Sequence, residues 1–339
     1  MKNKILNFSI ITILFIMLII LTGCGNETQN NIENDINEET QKSQNVKKTN
    51  LTPKYDKDKK LYGYVDENKN WIIEAKYKKA EEFSNGYAEV MLSSKNYTFI
   101  DQKGTQITNE VFYSAEAFAT NGLALVQKNE DGNYGFIDNN GTLVIDYKYN
   151  EAESFSKNGL ALVKEDADGK YGYINEKGEY NIQAVYDEAQ SFTDKGYAGV
   201  MLNSVVGIID KEGNLLFETS DYDFVWAMED TDLVKVGQGV AYWKVKGTNH
   251  GLDGTFGLTD LNGNVISDLK YLSIDEYIDN YAVVKDKNNK YGLIDNKGKE
   301  VIQCKYNTLK YNEDEGLYAV TTENEKYYIN TSDEKIKDW

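Results

Sequence analysis

The chain has 339 residues, a formal net charge of -18 and 12% aromatic residues. Its 37 basic residues are all lysine, and it holds one histidine and one proline. Phosphate recognition needs clustered positive charge and favours the planar guanidinium fork, so this composition argues against nucleic acid as a partner. The length suffices for one sizeable core or for an array of small units.

Lys2 and Lys4 precede an apolar run over 5–21, broken only by Asn7, Ser9 and Thr12. A basic start followed by such a run is a secretory signal, and at 17 residues it is at the short end of what spans a bilayer. The run closes on LTGC, residues 21–24. This tetrapeptide resembles the lipobox of bacterial lipoproteins. The resemblance implies cleavage after Gly23 and lipid on the Cys24 sulfur, with the membrane as a partner through that anchor. Several acyl chains on one residue hold stably where a single chain is marginal. The expected division is a signal peptide over 1–23, a lipid-anchored tether over 24–50 and a repeat domain over 51–339. The tether is rich in Asn, Glu, Gln, Thr and Lys and has little to bury, so it reads as disordered. A composition poor in Arg and Pro and rich in Asn, Lys, Ile and Tyr suggests an AT-rich genome. The expected location is the outer face of a Gram-positive plasma membrane. Cys304 is then the one free thiol, without an internal partner.

From residue 62 onward one phrase recurs: YGYVDENKNWIIEAKY at 62–77, YGFIDNNGTLVIDYKY at 134–149, YGYINEKGEYNIQAVY at 171–186 and YGLIDNKGKEVIQCKY at 291–306. The Gly of the YG pair, or its replacement, stands at Gly63, Thr98, Gly135, Gly172, Gly207, Gly257, Gly292 and Tyr327, in steps of 35, 37, 37, 35, 50, 35 and 35. Three residues on stands Asp or Asn in all eight copies, and three further on Gly in six of them. Periods of this size indicate a propeller, a solenoid or another array. The YG segment alternates as a strand, and the Asx-x-x-Gly is turn chemistry: the Asx side chain bonds the backbone ahead and Gly takes the positive φ. A second strand ends in Tyr, a bulky residue follows about six positions later, and a third short strand such as GLALV at 122–126 completes the unit. The expected fold is all-β: eight three-stranded antiparallel units of about 36 residues, stacked as an open curved array because none can bury its own faces. The segment from Tyr77 to Phe83 has room for a very short fourth strand, so a β-propeller is the alternative.

An aromatic-Gly-aromatic-Ile-Asp strand, an Asx/Gly turn, a strand ending in Lys-Tyr and then Phe-Ser-x-Gly-Leu-Ala-x-Val resembles the bacterial WG-repeat family. Phe155-Ser156 and Gly159-Leu160-Ala161-Leu162-Val163 carry the likeness best, and it covers about residues 51–339. The family's usual Trp before Gly is absent; Tyr62, Tyr134, Tyr171, Phe256 and Tyr291 stand there instead. The resemblance implies a β-rich scaffold, often exported, with a binding role, and it assigns no catalytic residues.

Chemistry-bearing groups are sparse. The repeated Asx residues start turns. Asp166-Ala167-Asp168-Gly169 lacks the further ligands of a calcium loop. A lone His250 does not make a zinc site, and no nucleophile triad or phosphate loop appears. The expectation is no enzyme, no metal and no cofactor. The irregular step is more informative. Val234 to Gly257 spans 23 residues where the other copies need 8 to 11, so about a dozen extra residues lie within 236–254 and lengthen one hairpin. Insertions in repeat proteins gather on one face, often the binding face. Trp226, Tyr242, Trp243 and His250 are therefore the candidate binding residues, suited to an envelope protein or a cell-wall glycan.

Overall fold

The computed structural model describes residues 50–239 and 254–339. The signal peptide, Cys24 and the tether to residue 49 lie outside the described residues, as do Tyr242, Trp243 and His250. Residues 51–339 form one compact unit.

That unit is all-β, a tandem array of small antiparallel sheets and no closed barrel. A fourth strand joins the three expected in the third, fourth, fifth and eighth units; the first two sheets have three strands, and the sixth and seventh units share one sheet of seven through Val265–Ile274. In the fourth unit the sheet runs Glu151–Ala152, Ala161–Lys164, Tyr171–Ile174, Tyr180–Tyr186, each pairing antiparallel with the next. The fifth repeats it with Glu188–Ala189, Tyr197–Leu202, Val205–Asp210 and Leu215–Thr219. The extra strand has two residues, too few to show an alternation in sequence. Four strands are also the complement of a propeller blade. The sheets are offset from the sequence phrase. GLALV of one phrase pairs with the YG strand of the next, as Leu125 faces Phe136 and Val126 faces Gly135. Each four-stranded sheet therefore draws two strands from one phrase and two from its successor.

The repeated letters have separate physical jobs. Opposite most YG glycines the fourth strand bulges: Tyr171 faces Tyr186 and Tyr173 faces Ile182, so Gly172 alone opposes three residues. The bulged backbone folds over the glycine. A Cβ on Gly257 would lie 2.4 Å from the Ser267 carbonyl oxygen. The Asx turn is built alike eight times. Asp66 Oδ1 accepts from the backbone N–H groups of Asn68 (2.9 Å) and Asn70 (2.8 Å), and Asp101, Asp138, Asn175, Asp210, Asp260, Asp295 and Asn330 do the same. Where Gly is missing from the turn, Lys69 and Asp333 take its positive φ, 66° and 65°.

Two contacts stitch each unit to the next. The aromatic after YG packs on the Phe that opens the following unit: Tyr64 on Phe83, Phe99 on Phe118, Phe136 on Phe155 and Tyr173 on Phe192, with centroids 4.6–4.9 Å apart. Such tilted pairs add about 1 kcal/mol each beyond burial. Five of the six turn glycines, Gly104, Gly178, Gly213, Gly263 and Gly298, also sit on an apolar side chain of the unit before. A Cβ on Gly178 would come within 3.2 Å of Ile145, and one on Gly213 within 3.3 Å of Ile182. The apolar clusters accordingly straddle neighbours in chain order, from Leu51 and Tyr64 with Ala88 and Ile100 through to Leu293 and Tyr306 with Leu309 and Ile329. Among the described residues no cluster joins the eighth unit to the first. The residue paired with the one after the YG position is Ile182, Phe217, Ser267 or Ile302 in the fourth to seventh units, and in the eighth it is Lys337, paired with Tyr328 and exposed.

The two kinds of glycine separate in a simple experiment. Gly122 has φ +81° with nothing within 4 Å of a Cβ, whereas Gly257 is constrained by backbone contact alone. Gly122→Ala should cost about 1–2 kcal/mol, and Gly257→Ala about 3 kcal/mol or more through overpacking, both read from urea unfolding of residues 51–339.

Candidate interaction surface

The sixth unit carries the insertion. Its strands are Phe224–Ala227, Leu233–Gln238, Thr255–Asp260 and Val265–Ile274, with Gln238 facing Thr255 at the hairpin's root. There Gly239 N–H donates to Asp223 Oδ2 (2.7 Å), and a Cβ on Gly239 would lie 3.7 Å from the Gly254 Cα. The extra residues thus leave and rejoin the sheet at one point, as a lengthened hairpin does. Trp226 lies in the same sheet, opposite Lys235. Its ring stacks on Phe224 at 6.1 Å and 6°, and it packs half-buried against the apolar cluster of this unit. Much of the indole is therefore core. The structure brings Trp226 and the root of the insertion into one sheet.

Trp226 stands in a row that the first strands form from unit to unit. Glu116 accepts from Ser154 Oγ at 2.6 Å, and Glu153 accepts from Ser191 Oγ. Gln190 bridges the fifth and sixth units through Ala227: its Oε1 accepts from Ala227 N–H (2.9 Å) and from Gly199 N–H (3.1 Å), while Nε2 donates to the Ala227 carbonyl (2.8 Å). Lys235 Nζ then donates at 3.1 Å to the carbonyl of Ile274, where the end of Val265–Ile274 pairs with the seventh unit's Tyr281–Asp286 strand. Burial pushes Glu153 above the ordinary carboxylate value, only partly offset by Ser191. It likewise pulls Lys235 below the usual lysine value despite Glu276 and Asp275, and it raises Asp275 despite Lys235. Desolvation outweighs attraction on both sides of that pair.

At the turn end of the fifth and sixth units lies a groove of about 490 Å³, lined among others by Asn158, Lys195, Tyr197, Lys211, Leu216 and Leu261. Its lysines are committed to neighbours, Lys195 to Asp232 and Lys211 to Glu212. Exposed Leu215, Leu216, Val265 and Ile266 stand on the fourth strands of the same two units.

The model of the family described as WG containing repeat matches residues 62–95, 97–130, 134–170, 171–205, 256–291 and 291–327. The chain belongs to the WG-repeat family. The copies that the WG model passes over are the insertion-bearing one after 205 and the last, the two least regular. No curated protein matches the sequence. Among solved structures, the WG-repeat chain is similar to a eukaryotic initiation factor at 10% identity, over 86% of this chain and 89% of that one, with a TM-score of 0.50. Similarity extends to BamB from Moraxella catarrhalis (14% identity, 70% and 77% covered, TM-score 0.40) and to the computationally designed Ika8 protein (12%, 86% and 96%, 0.43). At 10% identity the likeness to the initiation factor speaks to fold alone.

Sequence reasoning passed over Gln190 and Lys235. A signal was present for Lys235: the position after the third strand's small residue is Leu125, Leu162, Gly199, Val283 and Val320 in five copies, and a charge stands there only in Glu89 and Lys235. Gln190 occupies the column of Glu116 and Glu153, recognisable only once the two-residue strand is known.

Gln190→Leu strands two backbone N–H groups and a carbonyl, and should cost about 2–4 kcal/mol by urea unfolding, with Gln190→Glu intermediate. Glu153 binds its proton more tightly in the folded chain, so its contribution is greatest below pH 4.5 and is lost as pH rises through the raised value. Glu153→Gln should therefore flatten the decline in stability between that range and neutrality, measured as the variant-minus-parent difference in urea midpoint across pH.

Proposed function

We propose that this WG-repeat chain is a non-catalytic protein-interaction scaffold, held at the outer face of the plasma membrane by lipid on Cys24. The observation that carries this reading is the fate of the tyrosines. A glycan-binding array would present a row of exposed aromatic rings at one phase of the repeat. Here Tyr64, Tyr77, Tyr149, Tyr173, Tyr271 and Tyr306 are all buried, and among the described residues Tyr55 is the one exposed tyrosine. Their hydroxyls serve the fold where they bond: Tyr64 to the Glu81 carbonyl (2.8 Å), Tyr173 to the Gln190 carbonyl (2.6 Å) and Tyr271 to Glu300 (2.7 Å). The repeated Asx and Gly residues are equally consumed by turns and close contacts. What remains for a partner is the insertion, which no other copy shares, and the exposed apolar pairs that several fourth strands present, Leu143 and Val144, Leu215 and Leu216, Val265 and Ile266. Proteins recognise partners through such clustered apolar features.

Envelope-glycan binding through the insertion's own aromatics is the second reading, favoured by Tyr242 and Trp243 in one short stretch. Residues 51–339, intact and with 240–253 removed so that Gly239 joins the adjacent Gly254, should be presented to purified sacculi and to solubilised envelope proteins. Capture of one defined protein by the intact form without sacculus retention is expected. Retention on sacculi that vanishes with the deletion would replace the scaffold by a glycan binder.

A further inference from the structure

We propose that Asn85-Gly86 is a site of spontaneous deamidation, and that its conversion releases a clip between the second and third units. The sequence holds five Asn-Gly pairs, at 85–86, 121–122, 140–141, 158–159 and 262–263. Glycine is the least hindering successor to Asn, so sequence alone treats the five alike. The fold does not. In four pairs the glycine N–H is tied into a turn, donating to the carbonyl of Ala119, Asp138, Ser156 or Asp260 at 2.9–3.1 Å. Asn85 and Gly86 instead occupy the centre of a two-residue hairpin, with φ +52° and +90° as in a type I′ turn. Its backbone bonds join Ser84 and Tyr87 in both directions (2.8 and 3.0 Å) and leave the Gly86 nitrogen out. Both residues are exposed, and nothing lies within 4 Å of a Cβ on Gly86.

The chemistry needs only water. Base removes the Gly86 amide proton, and that nitrogen attacks Asn85 Cγ. A C–N bond forms, the Cγ–Nδ2 bond breaks, and Nδ2 leaves as ammonia after taking up a proton. Water then opens either C–N bond of the cyclic imide, giving aspartate or isoaspartate without any oxidation or reduction. The atom lost is the one that holds the next unit. Asn85 Nδ2 donates to the carbonyls of Phe118 (2.9 Å) and Ala119 (3.0 Å), beside Ser84 Oγ on the same Phe118 oxygen (3.0 Å) and the Tyr87 ring on Phe118 (5.2 Å). Conversion turns a shared donor into a carboxylate facing two carbonyl oxygens, a repulsion that weakens this seam.

The full chain, in detergent micelles, should be incubated at mildly alkaline pH, with and without denaturing urea, and all five sites followed by peptide mass and isoaspartate labelling. In the folded chain Asn85 should convert several-fold faster than the other four; in urea the five should react alike. Equal rates in the folded chain, or a faster site elsewhere, would overturn the assignment. For the clip, Asn85→Asp should lower the urea midpoint more than Asn85→Ala, because it adds repulsion to the lost donor. An Asn85→Asp midpoint at or above that of Asn85→Ala would refute the release.

Discussion

Everything in this array depends on one contact made over and over: the backbone of an Asx turn resting on an apolar side chain of the preceding unit. Four short strands cannot shield their own faces. The turn of the following unit supplies the missing cover, and it reaches far enough because its last residue has no side chain. Gly178 over Ile145 and Gly213 over Ile182 are close enough that a methyl group would press on the isoleucine. The same glycine adopts a backbone conformation that other residues resist. One residue type thus answers a torsional demand and a packing demand at once, and the Asx Oδ1 that holds each turn is committed to two backbone N–H groups.

This division separates what was legible in the chain from what was not. The Asx turns, the glycines and the buried tyrosines announced themselves through periodicity, because each performs an identical task in every copy. The two-residue strand was legible only as room between Tyr77 and Phe83, which Lys79–Ala80 fills. Glu151–Ala152 and Glu188–Ala189 are too short to alternate, and their partners lie beyond a loop. The offset of sheet and phrase was hidden for the same reason, since hydrogen-bond pairing leaves no trace in residue spacing. Trp226 was read as a candidate ligand platform, yet its stacking on Phe224 makes it half core. Its neighbours across the first strands, Gln190 and Lys235, are the polar members of that row.

That row is where the array departs from simple apolar stacking. Gln190 and Glu153 each reach across to a backbone or hydroxyl group of the following unit, and Lys235 to the carbonyl of Ile274, where the strand pairs with the seventh. Apolar contacts between units tolerate sliding, whereas a buried amide with three fixed partners does not. Shape complementarity gives the units their affinity for one another, and the polar row gives them register.

The offset between sheet and phrase bears on how such a chain is inherited. Suppose recombination between two copies of the gene segment excises or duplicates one period, with breakpoints at equivalent places. The junction then falls inside a phrase or inside a sheet, never at a frontier of both. Because the third strand of one phrase already pairs with the YG strand of the next, the new neighbours meet with the pairing partners they had before. Copy number can drift by whole periods while each YG strand keeps a partner on both sides.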